Sequence, residues 1–228
     1  MVFSADHFTL EQIQQGCLIA IDKPLEWTSF QVVNKVRWML RKKFGLKKLK
    51  VGHCGTLDPL ATGLLLICVG PFTKKIQEYQ GLEKTYTGTF MLGATTPSYD
   101  METAIDKHFP TEHIQVDTVQ QMTATFQGDI QQVPPLYSAL KKEGKRLYEF
   151  ARAGETTELQ SRAVRISSFE VYPKLPEVEF KVVCSKGTYI RSLAHDFGKA
   201  LNSGAYLSSL RREKIGAYDL ENAFELRP

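Results

Sequence analysis

Residues 51–70 read VGHCGTLDPLATGLLLICVG, a glycine-rich turn followed by the longest apolar run of the chain, Leu64–Val69. The apolar run predicts a buried strand. Within the turn, Asp58 precedes Pro59, which biases the backbone of the aspartate away from helical angles. A carboxylate at the tip of such a loop suits a nucleophile or a base. On composition alone, an ordinary turn aspartate is the commoner interpretation. The glycines and His53 make a catalytic aspartate more competitive with it but do not favour it outright.

The chain on the N-terminal side of this stretch predicts a strand and a helix. Cys17–Asp22 reads as a short buried strand. Thr28 and Gln31 then have the spacing of a capping box, and apolar residues recur with helical spacing up to Gly45. We therefore expect an amphipathic helix that ends near Gly45.

The C-terminal side mixes strands and helices without a regular βαβ rhythm, which predicts an α+β fold. Alternating apolar residues predict strands over 84–93 and 178–184, and helical spacing predicts helices capped by Asp117 and beginning near Tyr189. No linker, repeat or low-complexity tract interrupts the chain. We therefore expect a single domain over residues 1–228.

One segment decides the net charge of +4. Residues 35–50 contain eight of the 29 lysines and arginines and no acid, so the remainder carries 21 basic residues against 25 acidic ones. Such a segment is typical of a protein that binds a polyanion, most commonly a nucleic acid. A solvated helix face with excess lysine is an equally good interpretation of the charge alone.

The composition is that of an ordinary globular enzyme, with 43% hydrophobic and 24% charged residues. No apolar run approaches the ~20 residues of a membrane span, and the N-terminus has no basic leader, so we expect a cytoplasmic protein without membrane contact. The four cysteines show no CxxC spacing and the five histidines are scattered, which predicts reduced thiols and no metal site. Without a P-loop or a GxGxxG motif we expect no cofactor.

The segment CSKGTYIRSLAHDFG, residues 184–198, places Tyr189 and Arg191 at the start of a predicted helix. An arginine is electrostatically unfavourable at a helix N-terminus, so a carboxylate or phosphate partner would explain its position. An exposed arginine without a partner is the alternative.

Residues 132–155, QVPPLYSALKKEGKRLYEFARAGE, interleave basic and aromatic side chains. This mixture can contact phosphates and stack on unpaired bases. An ordinary surface hairpin and helix with a few core aromatics is the alternative interpretation.

Five ordered motifs over roughly residues 16–218 resemble the TruB-type tRNA pseudouridine synthases. GHCGTLDPLATGLL is similar to the catalytic motif of that family. The five ordered motifs besides the catalytic one are IDKPLEWTSF, KTYTGTFMLGATTPSYD, the 132–155 segment, CSKGTYIRSLAHDFG and GAYLSSLRREKIGAY. The resemblance implies the pseudouridine synthase fold, a mixed and largely antiparallel sheet flanked by helices and loops. It implies isomerisation of uridine 55 in the T loop of tRNA, with no cofactor and no obligate protein partner, by a monomer.

The resemblance also implies roles for individual residues. Asp58 matches the catalytic aspartate, which attacks C1′, attacks C6 or abstracts a proton. Arg191 matches the arginine that orients it, and Tyr86 matches the tyrosine against the target base. Tyr189 and Leu210 match further walls of the pocket, and His53 matches the histidine that enters the T loop as the base flips out.

RNA-binding residues are expected in the basic segment and in an RNA-gripping insertion at about 131–155. They are Lys42, Lys43, Lys47, Lys48, Lys141, Lys145, Arg146 and Arg152. The chain departs from the family pattern where Cys54 replaces threonine, Glu26 stands at a common glycine position and Ser98 replaces threonine. It ends shortly after the last motif, so we expect no C-terminal PUA domain.

Two other functions are compatible with parts of the pattern. A non-catalytic RNA-binding module on the same fold would not need Asp58, Tyr86 and Arg191 together. A glycoside hydrolase would need a second carboxylate, such as Asp100 or Asp196, about 5–9 Å from Asp58.

Overall fold

The computed structural model describes residues 1–138, 140–142, 144–153 and 159–226. The helices are α1 (Leu10–Gln15), α2 (Ser29–Phe44), α3 (Ile76–Gly81), α4 (Val116–Met122), α5 (Leu147–Arg152) and α6 (Ile190–Ala200). The strands are β1 (Cys17–Lys23), β2 (Val51–His53), β3 (Ala61–Val69), β4 (Lys84–Leu92), β5 (Ala94–Thr95), β6 (Lys107–His108), β7 (Gly128–Gln132), β8 (Lys141–Lys142), β9 (Lys145–Arg146), β10 (Arg162–Lys174), β11 (Glu177–Cys184), β12 (Ala205–Ile215) and β13 (Phe224–Glu225). Short 3₁₀ helices cover Ala5–His7, Gly70–Lys75 and Thr123–Phe126.

The chain forms two compact units, and the first comprises Met1–Tyr86 together with the residues from Leu210 onward. Its sheet is built around the apolar strand β3, which pairs antiparallel with β1 and β2 and parallel with β12. The short strand β13 adds to β1 in parallel. Every residue from Leu64 to Val69 is fully buried, which confirms the predicted apolar strand. The strand begins earlier than predicted, at Ala61.

Helix α2 covers one face of this sheet and follows its sequence signals closely. Thr28 and Gln31 form the predicted capping box, and Gly45 ends the helix in a left-handed conformation. The buried face includes Val32, Val36 and Leu40, which pack into the same core as strands β1 and β3. The exposed part of the helix contains polar and basic residues together with Phe30 and Trp38.

The second unit comprises Thr87–Ser209. Its long strand β10 pairs antiparallel with β11 and with β7. Phenylalanine rings in mutual contact form its aromatic core, with Phe90 stacked on Phe180 at 4.2 Å between ring centroids and Phe169 edge-on to Phe197. Gly88 is required in β4, because a Cβ there would lie 2.2 Å from the carbonyl oxygen of Ser209.

The mixed, largely antiparallel strands flanked by helices confirm the predicted fold class. Two local predictions were wrong. Asp117 lies in the first turn of α4, where Gln115 is the cap residue. Gly52 and His53 belong to the short strand β2 rather than to a loop. Within the described residues, no helix has the length and apolar character needed to cross a bilayer.

Candidate active site

Asp58 lies in the turn between β2 and β3, in the first unit, and its side chain is half-buried. The backbone carbonyl of Asp58 accepts a hydrogen bond from the amide of Ala61 at 3.1 Å. This bond closes the turn directly before strand β3 begins. The structure therefore places the carboxylate at the predicted loop tip, supported by the buried strand that follows.

Ser29, the first residue of α2, holds the Asp58 turn from one side. Its hydroxyl accepts a hydrogen bond from the amide of Leu57 at 2.8 Å and donates one to the carbonyl of Leu57 at 3.0 Å. Both partners are buried. A single side chain thus satisfies both backbone groups of the residue before Asp58, which the sequence did not reveal.

Arg212 also binds the backbone of this turn. This arginine on β12 is 1% exposed, and its guanidinium donates to the carbonyls of Leu64 at 2.7 Å, Gly55 at 3.1 Å and Thr56 at 3.4 Å. Gly63 permits the close approach of β12, since a Cβ there would lie 2.3 Å from the Arg212 carbonyl oxygen. Buried guanidinium groups need such partners. The sequence did not predict the burial of Arg212, because an arginine within RREK is typical of a surface position.

Lys23 is a second buried cation at the turn. Its ammonium group donates to the carbonyls of Trp27 at 2.6 Å, Pro24 at 2.9 Å and Pro59 at 3.3 Å. Burial lowers the pKa of Lys23 to about 8, against the opposing attraction of the Asp58 carboxylate. Lys23 therefore lies close enough to the Asp58 carboxylate for the two charges to attract each other.

Two departures from the family pattern have a structural explanation in this region. Glu26 has a φ of 66°, the left-handed conformation that glycine adopts most easily. Its amide donates to the carbonyl of Pro59 at 2.8 Å, so the glutamate keeps the backbone shape of the turn. Cys54 is fully buried with its Sγ 3.3 Å from the Sγ of Cys68, a contact between two free thiols.

Three further predicted residues lie in the same unit as Asp58. His53 ends β2, and burial together with the positive charge of Arg212 lowers the pKa of its imidazole. Leu210 on β12 is in register with Ala61, directly after the Asp58 turn. Tyr86 is buried on β4.

Arg191 lies in the second unit, in the first turn of α6, and is 4% exposed. Its guanidinium forms an ion pair with Asp100 at 3.5 Å and donates to the carbonyl of Ser98 at 3.1 Å. The sequence predicted a carboxylate or phosphate partner for this arginine, and the structure supplies one in Asp100. The pairing of Arg191 with Asp58 stays a prediction.

Tyr189 caps the same helix. The side-chain amide of Gln132 on β7 makes two hydrogen bonds to the Tyr189 backbone. It accepts one from the Tyr189 amide at 2.8 Å and donates one to the Tyr189 carbonyl at 3.0 Å. The guanidinium of Arg162 lies over the ring, 4.4 Å from its centroid. Neither Gln132 nor Arg162 carried a sequence signal, because their partners are distant in the chain.

The predicted RNA-binding residues divide by environment. Lys42, Lys43, Lys47 and Lys48 are exposed at the end of α2 and just beyond it. Lys43 forms an ion pair with Asp6, whereas Lys42 lies over the ring of Trp38.

The insertion contains the hairpin of β8 and β9, followed by α5. Lys145 is exposed there, with its Nζ 5.8 Å from the ring centroid of Phe150. The side chains of Lys141, Arg146 and Arg152, and residues 154–158, lie outside the described part of the chain.

A family model described as TruB family pseudouridylate synthase (N terminal domain) matches residues 41–190. This match spans the Asp58 turn and Tyr86, and it ends one residue before Arg191. The chain belongs to the TruB family of pseudouridylate synthases. Its pseudouridine synthase fold and its membership of this enzyme family confirm what the motifs implied.

Curated relatives and solved structures agree with this membership. A tRNA pseudouridine synthase B of Flavobacterium johnsoniae is 60% identical over 220 residues, 96% of each chain. Another of Phocaeicola vulgatus is 51% identical over 93% of this chain and 91% of that protein. A solved Cbf5-Nop10-Gar1 complex includes a chain with a TM-score of 0.70 and 30% identity, matched over 98% of this chain and 56% of that one.

The site offers a carboxylate, a neutral imidazole and buried cations rather than metal ligands. Among the described residues, no group of three or more histidine, cysteine, aspartate or glutamate side chains could hold a metal ion. A TruB-family synthase with this arrangement can present one fixed carboxylate to a substrate.

Proposed function

We propose that this TruB-family protein converts uridine 55 in the T loop of tRNA to pseudouridine. The observation that carries the proposal is the Asp58 turn, which lies inside the stretch matched by the family model and is held by Ser29, Lys23 and Arg212. A carboxylate on a turn whose neighbouring backbone groups are bound by three buried side chains is pre-organised for a substrate that has to be presented in one geometry.

The reaction detaches the uracil ring from C1′ of the ribose, rotates it and rejoins it through C5. Every atom of the substrate is kept, so the conversion needs no redox cofactor and no second substrate. Asp58 supplies the carboxylate that acts as nucleophile or base. The target base has to leave the stack of the T loop, which costs a few kcal/mol.

His53 fits the role of filling the space left by the flipped base. Its lowered pKa keeps the imidazole neutral at neutral pH, and a neutral ring enters a base stack at a lower desolvation cost than a charged one. Tyr86, Tyr189 and Leu210 bind the target base, and Arg191 orients the Asp58 carboxylate. The near-complete burial of Arg191 supports a positioning role, because a buried guanidinium holds a fixed geometry.

The basic side chains of α2 and of the insertion bind the RNA. We propose that residues 1–228 act as one catalytic domain, as a monomer in the cytoplasm, without an obligate protein partner. The tRNA contacts are concentrated on the T-arm stem-loop, which contains the target uridine.

The test is incubation of the purified protein with an unmodified tRNA transcript, followed by mapping of pseudouridine at each position. We expect one pseudouridine, at position 55, in the whole transcript and in an isolated T-arm stem-loop. A transcript with cytidine at position 55 is the control. Modification at another position would contradict the assigned site, and release of free uracil would indicate glycoside hydrolysis instead of isomerisation.

A further inference from the structure

A groove of about 440 Å³ lies on the outer face of α2, in the first unit. It is lined by Asn34, Arg37, Trp38, Arg41, Lys42 and Leu46, and we call it the α2 groove. None of its residues belongs to the Asp58 turn. A volume of a few hundred Å³ is in the range of ligand-binding clefts.

The α2 groove is strongly cationic. Three of its six lining residues carry a positive charge, and residues 35–50 contain no acid at all. In the part of the chain that the structure describes, no ion pair neutralises Arg37, Arg41 or Lys42. Lys43, on the same helix, is instead neutralised by Asp6. The charge therefore points to an anionic occupant.

The two arginines are already oriented by the protein. Arg37 donates to the side chain of Asn34 at 2.7 Å and to the carbonyl of Val51 at 3.0 Å. Arg41 donates through Nε to the carbonyl of Leu46 at 3.0 Å. A guanidinium has five donors, so each arginine is held in place with several donors left for an anion.

Trp38 adds a feature that a simple phosphate site does not need. Its side chain is 57% exposed, although burial of an indole is strongly favourable. Lys42 lies over one side of the ring, with its Nζ 5.0 Å from the centroid. An exposed aromatic ring among oriented cations is the arrangement that stacks a base while neutralising its phosphates.

We infer that the α2 groove binds an unpaired nucleotide of the substrate RNA, with its base stacked on Trp38 and its phosphates on Arg37, Arg41 and Lys42. The inference rests on the proposal that the substrate is an RNA. Trp38 is nine residues beyond Ser29, about 14 Å along the helix from the Asp58 turn at 1.5 Å per residue. An acidic protein would match the charge but would not need the ring.

The chain contains two tryptophans, Trp27 and Trp38, which makes the test direct. Trp27→Phe leaves Trp38 as the single indole and keeps the Trp27 backbone carbonyl that accepts from Lys23. We expect an unmodified tRNA transcript and a short oligoadenylate to quench the fluorescence of this variant. Inorganic polyphosphate should compete with the RNA for the groove without quenching the indole.

The matched variant Trp38→Phe leaves Trp27 as the reporter, and its fluorescence should not respond to oligoadenylate, which lacks the target uridine. Trp38→Ala should raise the Kd for tRNA about tenfold, whereas Trp38→Phe should stay within about threefold because the phenyl ring still stacks. Lys42→Ala should weaken binding more than Lys43→Ala, since Lys43 is paired with Asp6.

Absence of quenching by RNA would overturn the inference, and an acidic protein partner would then be the better occupant. Equal quenching by polyphosphate would overturn base stacking. An equal response of Trp27 in the Trp38→Phe variant would show that the signal is not local to the groove. Quenching measures binding, so it can succeed or fail independently of pseudouridine formation, and the two proposals are tested separately.

Discussion

The Asp58 turn and the outer face of α2 belong to the same unit but differ in the burial of their polar side chains and in what those side chains bind. Around the turn, Ser29, Lys23 and Arg212 bind backbone carbonyl or amide groups and are themselves buried. On the outer face, Lys42 is exposed and its partner is an aromatic ring. The first region fixes a backbone, and the second presents charge to solvent.

This difference matches two physical tasks. The reaction rate falls steeply when a reacting carboxylate shifts from its position. Several hydrogen bonds therefore fix the turn that contains it. Binding a phosphate backbone depends on the number of neutralised charges more than on their exact geometry. Substitutions in the turn should therefore change turnover, and substitutions on the outer face should change affinity and its salt dependence.

The largest effect is expected at the tip of the turn. Asp58→Asn keeps the size of the side chain and removes the carboxylate, so turnover should fall by at least about a thousandfold while tRNA affinity stays within a few fold. Single-turnover pseudouridine formation and filter binding measure the two quantities. Asp117→Asn, an exposed aspartate on α4, is the control. Turnover by the Asp58 variant near the wild-type rate would remove Asp58 from the reaction.

Arg191→Lys should lower the turnover rate about a hundredfold, because lysine keeps the charge but loses the planar fork. The matched control is Arg165→Lys, in which an arginine paired with Asp129 is exposed and should be replaceable without effect. Single-turnover rates and the unfolding midpoint of both variants separate positioning from stability. Activity of the Arg191 variant within twofold of wild type would show that Arg191 does not orient the site.

Ser29→Ala removes both hydrogen bonds to Leu57 and should lower the turnover rate about tenfold. The free energy of unfolding should fall by about 1–2 kcal/mol, because the buried amide and the buried carbonyl of Leu57 lose their hydrogen-bond partner.

The neighbouring Thr28→Ala is the control for this effect. It removes the cap of α2, which should cost about 1 kcal/mol of stability, but Thr28 makes no hydrogen bond to the turn in the described structure. Equal losses of turnover in the two variants would attribute the Ser29 effect to helix stability alone.

The smallest effect on turnover is expected from neutralising Lys42, Lys43, Lys47 and Lys48 together. Each lost phosphate contact should reduce the log–log slope of affinity against salt by roughly 0.7–0.9. Titrations of tRNA binding at several salt concentrations measure the slope.

A control removes the same number of charges elsewhere, from the exposed residues Lys107, Lys174, Lys181 and Lys199. An unchanged slope in the α2 variant, or an equal change in the control, would mean that the outer face of α2 is only solvated.

Several elements could be predicted because their signals are local. The capping box of Thr28 and Gln31 and the apolar run before Val69 each lie within a few residues, and both appear in the structure as expected. The cap of α4 was misplaced by two residues, since aspartate is favourable both as a cap and within the first turn.

The supports of the site could not be predicted in the same way. Ser29 and Leu57 are 28 residues apart, and Arg212 is 157 residues from Gly55. The position of Arg191 at the start of a helix predicted an anionic partner without identifying it. Nothing in the sequence near Arg212 distinguishes a buried guanidinium from a surface one. Only the packing of β12 against β3 and of α6 near Asp100 decides their burial.

By itself the sequence determined the family, the mixed α+β character and the position of Asp58 at a loop tip, because motifs and periodicity are properties of neighbouring residues. The tertiary structure alone decided that Lys23 and Arg212 bind the backbone of the turn and that Asp100 is a partner of Arg191. It also decided that Trp38 is exposed beside cations that form no ion pair within the described part of the chain. Those arrangements depend on burial and on hydrogen bonds between distant segments, which form only when the chain has folded.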